Sequence, residues 1–346
     1  MAYTTINKSS DYFNTKLYTG NGSASRSITG VGFQPDWLWV KARSYTYYHG
    51  LWDAVRTNKY ALYSNATNAE DTSTGGTLGS LDSDGFTTPN VSDGGFININ
   101  SVTYASWNWL ANGAGSANTD GSINSTVSAN TTSGFSIVSW TGTGSLATVG
   151  HGIDTPKMII VKNRDGAYDW ITGTDAIGWT KYIELNTTIA ATTDNKFYDT
   201  APTSTIFTTA ADASVNSNSQ NHIAYCFAEK QGYSKIGTYT GNGNADGAFI
   251  YTGFKPAFVM IKNTSTGSTN WTICDNKRAG YNASNYRLFP NISDAESTSN
   301  AWEMYSNGFK MTSTGSFVNA SGSNYIYMAF AEAPLVGSNN VPCTAR

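Results

Sequence analysis

Four aspartates, Asp53, Asp169, Asp175 and Asp275, lie close in the chain to Trp52, Trp170 and Trp271. Acids beside aromatic rings are what a glycosidase needs, with two carboxylates about 5 to 10 Å apart across the scissile bond. Asp is also the ordinary loop residue of β proteins, and nothing in the spacing pairs these four with one another. His49, His151 and His222 form no HxxxH pattern, and no GxSxG is present, so they read as turn or sheet residues rather than ligands or bases. DSDG at 82–85 and NRDG at 163–166 have the flavour of calcium loops but never reach the closing bidentate Glu, so both read as turns. Cys226, Cys274 and Cys343 make no CxxC. They read as small buried hydrophobes plus one thiol in the tail. The expectation is no catalytic set, no metal and no cofactor.

The aromatic residues carry more information. Trp37 and Trp39 stand two apart in PDWLWVKARSYTYYHGLW, which places both on one face of a strand, followed by Tyr45, Tyr47, Tyr48 and Trp52. Aromatic faces stack on sugar rings and anchor interfaces, burying large area at small entropic cost. Trp37 and Trp39 read as core or as a seam between packed units. The aperiodic, polar-flanked Tyr45, Tyr47 and Tyr48 read as an exposed loop and, with Trp52, as the candidate binding residues.

These residues must be positioned by strands. Aromatics are 13% of the chain, charged residues only 13% against an ordinary figure of about 25%, and glycine contributes 34 of 346 residues. Tyr, Trp, Phe and Thr favour pleated surfaces, and Gly, Asn and Ser supply turns, so the chain reads as all-β. The net charge of -3 is spread thinly, without the Lys/Arg stripe that phosphates require, which argues against nucleic acid. No apolar run approaches a bilayer's thickness, and MAYTTINKSSDYF lacks a basic start and a hydrophobic segment, so neither membrane insertion nor a signal peptide is expected.

The landmarks recur in fixed order. YTGNG at 18–22 and 239–243 and WTGTG at 140–144 are each followed by a Pro-led apolar run closed by Lys: GFQPDWLWVK, IDTPKMIIVK and GFKPAFVMIK. Pro35, Pro156 and Pro256 are separated by 121 and 100 residues, and Lys41, Lys162 and Lys262 by the same intervals. A Trp follows in each at Trp52, Trp170 and Trp271, and each ends on a hydrophobic strand: YASWNWLA, HIAYCFAE and YIYMAFAE. This predicts three tandem related β-sandwich modules of jelly-roll or lectin-like type, at 12–112, 134–229 and 233–332. An arm (1–11), a Gly/Ser/Asn/Thr linker (113–133) and a tail (333–346) complete the division. The uninterrupted runs MIIV and FVMI predict strands covered on both faces. The TGNG loop reads as a strand-end turn using glycine's access to positive φ, not as a phosphate cradle.

At YTGNG, GFxPxxVxIK, YCFAEKQGYSKIGTYTGNG and YIYMAFAEAP the chain resembles a domain family of tailed bacteriophages, especially marine ones, found in tail fibre and other virion structural proteins. The resemblance is most specific over 134–334. It implies a non-enzymatic virion surface protein made in the bacterial host cytoplasm, with other virion proteins as partners and a lectin-like sandwich fold. Tail fibre or receptor-binding component contacting host surface glycans is the first expectation, capsid or tail decoration protein the second, and polysaccharide depolymerase the third. Three repeats could pack about a pseudo-threefold axis within one chain, or three chains could form a homotrimer; both stay open at this stage.

Overall fold

The computed structural model describes residues 3–56, 59–279 and 286–334. The protein is nearly all β, and every strand pairing between its named strands is antiparallel. No helix among the described residues is long and apolar enough to cross a membrane.

Three large sheets share one strand order. The first runs Phe13–Thr19, Thr103–Trp109, Trp37–Ala42, Gly50–Asp53, Leu62–Tyr63. The third repeats it with Ser234–Thr240, Asn324–Pro334, Phe254–Asn263, Thr272–Asp275. The second has the same succession, Phe135–Thr141, Asn221–Phe227, Met158–Asn163, Ile171–Thr174, extended at both edges. A smaller sheet accompanies each, and its apolar residues share a core cluster with one face of the large sheet. Ile159 and Val161 thus pack with Val149 and Phe207, Val259 and Ile261 with Ile250 and Phe309, and Leu38 and Val40 with Ile28 and Phe86.

The opposite faces of the large sheets meet in the middle of the molecule. Trp37, Trp39, Trp107 and Trp109 from the first, Met158, Ile160, Tyr225 and Phe227 from the second, and Phe258, Met260, Met328 and Phe330 from the third belong to one central core. Trp37 stacks on Tyr225 with centroids 4.3 Å apart, and Phe13 on Phe330 at 5.3 Å. This is why the runs WLWV, MIIV and FVMI carry no polar alternation: both faces of each strand are dry, and every residue in them is buried.

Two stretches depart from expectation. The tract 113–133, read as a linker, contains the strands Ser116–Asn118 and Ser125–Asn130, which extend the edge of the second sheet. Ile123 and Val127 pack in that sheet's outer core, and Ser125 and Ser128 are small enough to sit buried beside them, so polar composition masked a strand. The arm is also tied down: Ile6 lies in the central core and the Tyr3 hydroxyl donates to the Gly253 carbonyl at 3.1 Å.

Three joints close the ring of sheets. Trp170 donates its indole N–H to the Tyr63 carbonyl at 2.8 Å, and Trp271 donates to Glu184 O at 2.9 Å. By pairing register the residue that matches them in the first sheet is His49, not Trp52. The backbone N–H groups of His49, Trp170 and Trp271 all donate to an Asn side chain, Asn65, Asn186 and Asn291. The Phe289 carbonyl lies beside the His49 ring without closing a full hydrogen bond. Equivalent backbone bonds run from Glu70 N to Arg164 O, Ala191 N to Thr264 O and Glu296 N to Arg43 O.

Two joints also carry buried charge. Between the first and second sheets, Asp53 accepts from Arg56 Nε at 2.6 Å and from the Tyr225 hydroxyl at 2.8 Å, while Glu70 bridges Arg56 and Arg164. Between the third and first, Asp275 accepts from Arg278 Nε at 2.6 Å and from the Trp107 indole at 2.9 Å, while Glu296 bridges Arg278 and Arg43. The third joint has Thr174, Ile177, Ala191, Thr264 and Met328 at the matching places, and a groove of about 560 Å³ lies there.

Candidate functional site

The tyrosine loop leaves the strand Trp37–Ala42 and re-enters the sheet at Gly50–Asp53. Its path is held from beneath by Lys41, the residue that closes the apolar run. That ammonium is fully buried and donates to the carbonyls of Ala42 at 2.7 Å and Tyr45 at 3.3 Å. Lys162 does the same for Asn163 and Gly166, and Lys262 for Thr269 and Thr188. Burial lowers all three from the ordinary 10.5 to about 8. The loop is held from the side by the Tyr47 N–H, which donates to the Ser293 carbonyl at 2.9 Å.

This scaffold turns aromatic faces outward. Tyr45 and Tyr48 are 51% and 44% exposed. Tyr48 lies against the buried Tyr63 with centroids 4.7 Å apart, and Tyr47 stacks on Phe96 at 5.5 Å, nearly parallel. A cleft of about 480 Å³ opens between these rings, with Asp71 and Asp93 at its sides. A second depression of about 430 Å³ adjoins it across Tyr48, Tyr63 and Asp71 and reaches Glu70.

Asp71 accepts from the Tyr63 hydroxyl in a short hydrogen bond and from the Ser73 N–H at 2.9 Å. Burial works against its charge, but these donors prevail and hold the carboxyl below its ordinary range. Tyr63 is pushed up, chiefly by burial and then by Asp71. Asp93 accepts from the Gly95 N–H at 3.0 Å. Glu70 is held below its ordinary value because Arg56 and Arg164 outweigh its desolvation, so its charge is already neutralised by partners.

The structure therefore gathers Tyr47 and Tyr48 at one cleft, leaves Tyr45 exposed beside Tyr47, and removes Trp52 from the set. Trp52 is fully buried, its N–H donates to the Gly76 carbonyl at 3.0 Å, and its ring stacks behind Phe96. Strand register explains this: Trp52 pairs with Leu38 and shares its outward core. Sequence reasoning missed Tyr63, which comes from the strand Leu62–Tyr63, and Asp71, Asp93 and Phe96, which come from other loops; the only local signal was the second tyrosine of YALYS. Trp37 and Trp39 occupy the seam where the sheets meet.

The remaining candidates serve the framework. Asp53 and Asp275 belong to the joints, Asp169 accepts from Asn186 Nδ2 at 2.7 Å, and Asp175 pairs with Lys157 at the surface. Asp82 and Asp84 bond to nearby Ser80, Thr87, Gly30 and Gly32, and Asn163 Oδ1 accepts from two N–H groups of its own turn. The TGNG loops are occupied from within: buried Asn98, Asn216 and Asn319 each accept a loop N–H and return a side-chain N–H to a loop oxygen. Gly22, Gly144 and Gly243 take φ near +68° there, at 69, 68 and 67°. Among the described residues no group of three or more His, Cys, Asp or Glu could hold a metal ion. Cys226 and Cys274 are buried and not joined by a disulfide; Cys343 lies outside the described residues.

The chain belongs to the family described as Domain of unknown function (DUF7483), whose model matches residues 8–334. One family unit therefore takes in all three large sheets. No curated protein matches the chain.

Proposed function

We propose that this chain is a non-enzymatic surface protein of a bacteriophage virion, a tail fibre or receptor-binding component that contacts glycans of the host surface, built from three related sandwich modules closed around a pseudo-threefold axis. The observation that carries the glycan contact is the cleft of Tyr47, Tyr48, Tyr63 and Phe96 with carboxylates at its edge. Flat rings flanked by hydrogen-bonding groups suit a sugar, whose ring faces are apolar and whose rim is polar. The phage assignment rests on the resemblance of the repeated motifs, and the shared strand order of the sheets supports the triplication.

A decoration role is the second reading, favoured by Phe249 and Tyr251. They are 46% and 55% exposed on the small sheet beside the third large sheet, with Phe249 packed edge-on against Tyr305. Ser27 and Thr29 hold the same strand in the first small sheet. That aromatic face suits attachment to another virion protein.

The test is binding of purified protein to host envelope polysaccharide, with particle localisation by electron microscopy. Replacing Tyr45 and Tyr48 by Ser should weaken polysaccharide binding about tenfold or more while changing stability by about 0.5 kcal/mol or little more, since both are surface residues. Unchanged binding sinks the cleft as the contact. Release of oligosaccharide would instead show a depolymerase.

A further inference from the structure

We infer that the tyrosine cleft selects a ligand bearing a positively charged ammonium group: its walls are aromatic rings, the unneutralised charges beside it are the carboxylates of Asp71 and Asp93, and among the described residues no Lys or Arg lines it. This rests on the proposed role of the cleft as the ligand contact and narrows it to a ligand class.

Ring faces carry negative charge density and attract cations within about 6 Å, most strongly where water is partly excluded. Phe96 is sandwiched between Tyr47 and Trp52 and Tyr63 is buried behind Tyr48, so Tyr48, 44% exposed, is the ring of the cleft that an entering ammonium meets. The neighbouring cations are already engaged. Arg56 and Arg164 are bound to Glu70, and the Lys41 ammonium is buried below the loop and donates to carbonyls of Ala42 and Tyr45. Asp71 keeps its charge through the Tyr63 and Ser73 hydrogen bonds, and Asp93 accepts from the Gly95 N–H. An anionic sugar would face two like charges here with no counter-charge in the lining, which disfavours it. The corresponding loops of the other sheets, NRDGAYDW and NTSTGSTNW, hold one tyrosine and none, so the tyrosine cluster is particular to this loop of the first sheet.

An ammonium group reaches a cell surface on an amino sugar or on a choline headgroup, and the test separates these. Calorimetric titration of the intact chain at about pH 6, below the pKa of an amino group, would use a glucosamine tetrasaccharide, its fully N-acetylated counterpart and choline. The expected result is measurable affinity for the glucosamine oligomer, about tenfold weaker binding after N-acetylation, and a similar loss in the Asp93→Asn variant. Asp71→Asn provides a second variant, and an unchanged unfolding transition shows that either is folded. Choline binding at comparable affinity assigns recognition to the ammonium alone; its absence, with the glucosamine oligomer bound, assigns it to an amino sugar. Equal binding of the acetylated oligomer overturns the inference while leaving a glycan-contact cleft intact. Silence towards all three probes also overturns it, and the host polysaccharide experiment then decides the wider reading separately.

Discussion

Two of the three joints between the large sheets are built on buried ion networks, and the third is not. At the charged joints Asp53 with Arg56 and Asp275 with Arg278 are fully buried and each accepts a further donor from the neighbouring sheet, Tyr225 or Trp107. At the uncharged joint Thr174, Ile177 and Met328 replace acid, base and donor together. The change is coherent: no half of a pair is left behind. A buried charge without its partner costs several kcal/mol, whereas an apolar set of similar volume is often neutral or better. The uncharged joint thus avoids that cost by lacking the whole set at once.

The largest expected effect comes from breaking one set halfway. Arg278→Met should destabilise by about 3 to 5 kcal/mol, read by denaturant unfolding, because Asp275 and Glu296 lose their shared cation inside the protein. Asp275→Thr combined with Arg278→Ile should cost clearly less than Arg278→Met alone. If the double change is the costlier, the joints do not behave as sets.

A smaller effect is shared by all three sheets and separates joint chemistry from scaffold chemistry. Lys41, Lys162 and Lys262 are depressed by burial from 10.5 to about 8, so between those values the unfolded chain binds more protons than the folded one. Stability should rise with pH across that window, by about 1 kcal/mol per lysine in the first unit above about pH 8. Above the ordinary tyrosine value of 10.0 it should fall again, because burial holds Tyr225, Tyr233 and Tyr239 protonated in the folded state. Lys262→Met should remove about a third of the rise, and an unaltered slope would contradict the assignment. The smallest effect is from grafting the missing bridge: Ala191→Glu with Thr264→Arg should change stability by about 1 kcal/mol or less, since the partly open groove screens the pair. A coupling energy of several kcal/mol in a double-mutant cycle would show that the three joints differ less than their residues suggest.

The all-β character was legible because strand-forming aromatics, turn chemistry, Pro-led runs and the closing Lys are local signals. What misled was register. Trp52 was matched to Trp170 and Trp271 by residue type, yet His49 follows Lys41 by eight residues, as Trp170 follows Lys162, and Trp271 follows Lys262 by nine. Spacing from the buried lysine was the better guide than chemical likeness, because the lysine fixes where the loop must return. The tract 113–133 was misread because Ser125 and Ser128 occupy buried strand positions without looking hydrophobic. Of the cleft, the loop carrying Tyr47 and Tyr48 was visible; Tyr63, Asp71, Asp93 and Phe96 were not, since they arrive from an edge strand and separate loops through long-range folding.

The closure of the three sheets on one another has an evolutionary corollary. A linear array of repeats can lengthen or shorten by duplication, each added unit stacking on the last. Here every large sheet lends its inner face to a middle shared with two others, so deleting one would open a hydrophobic gap and inserting a fourth would leave the centre unfilled. Outward loops can thus change without disturbing the middle, whereas no sheet can be removed without baring the inner faces of the other two.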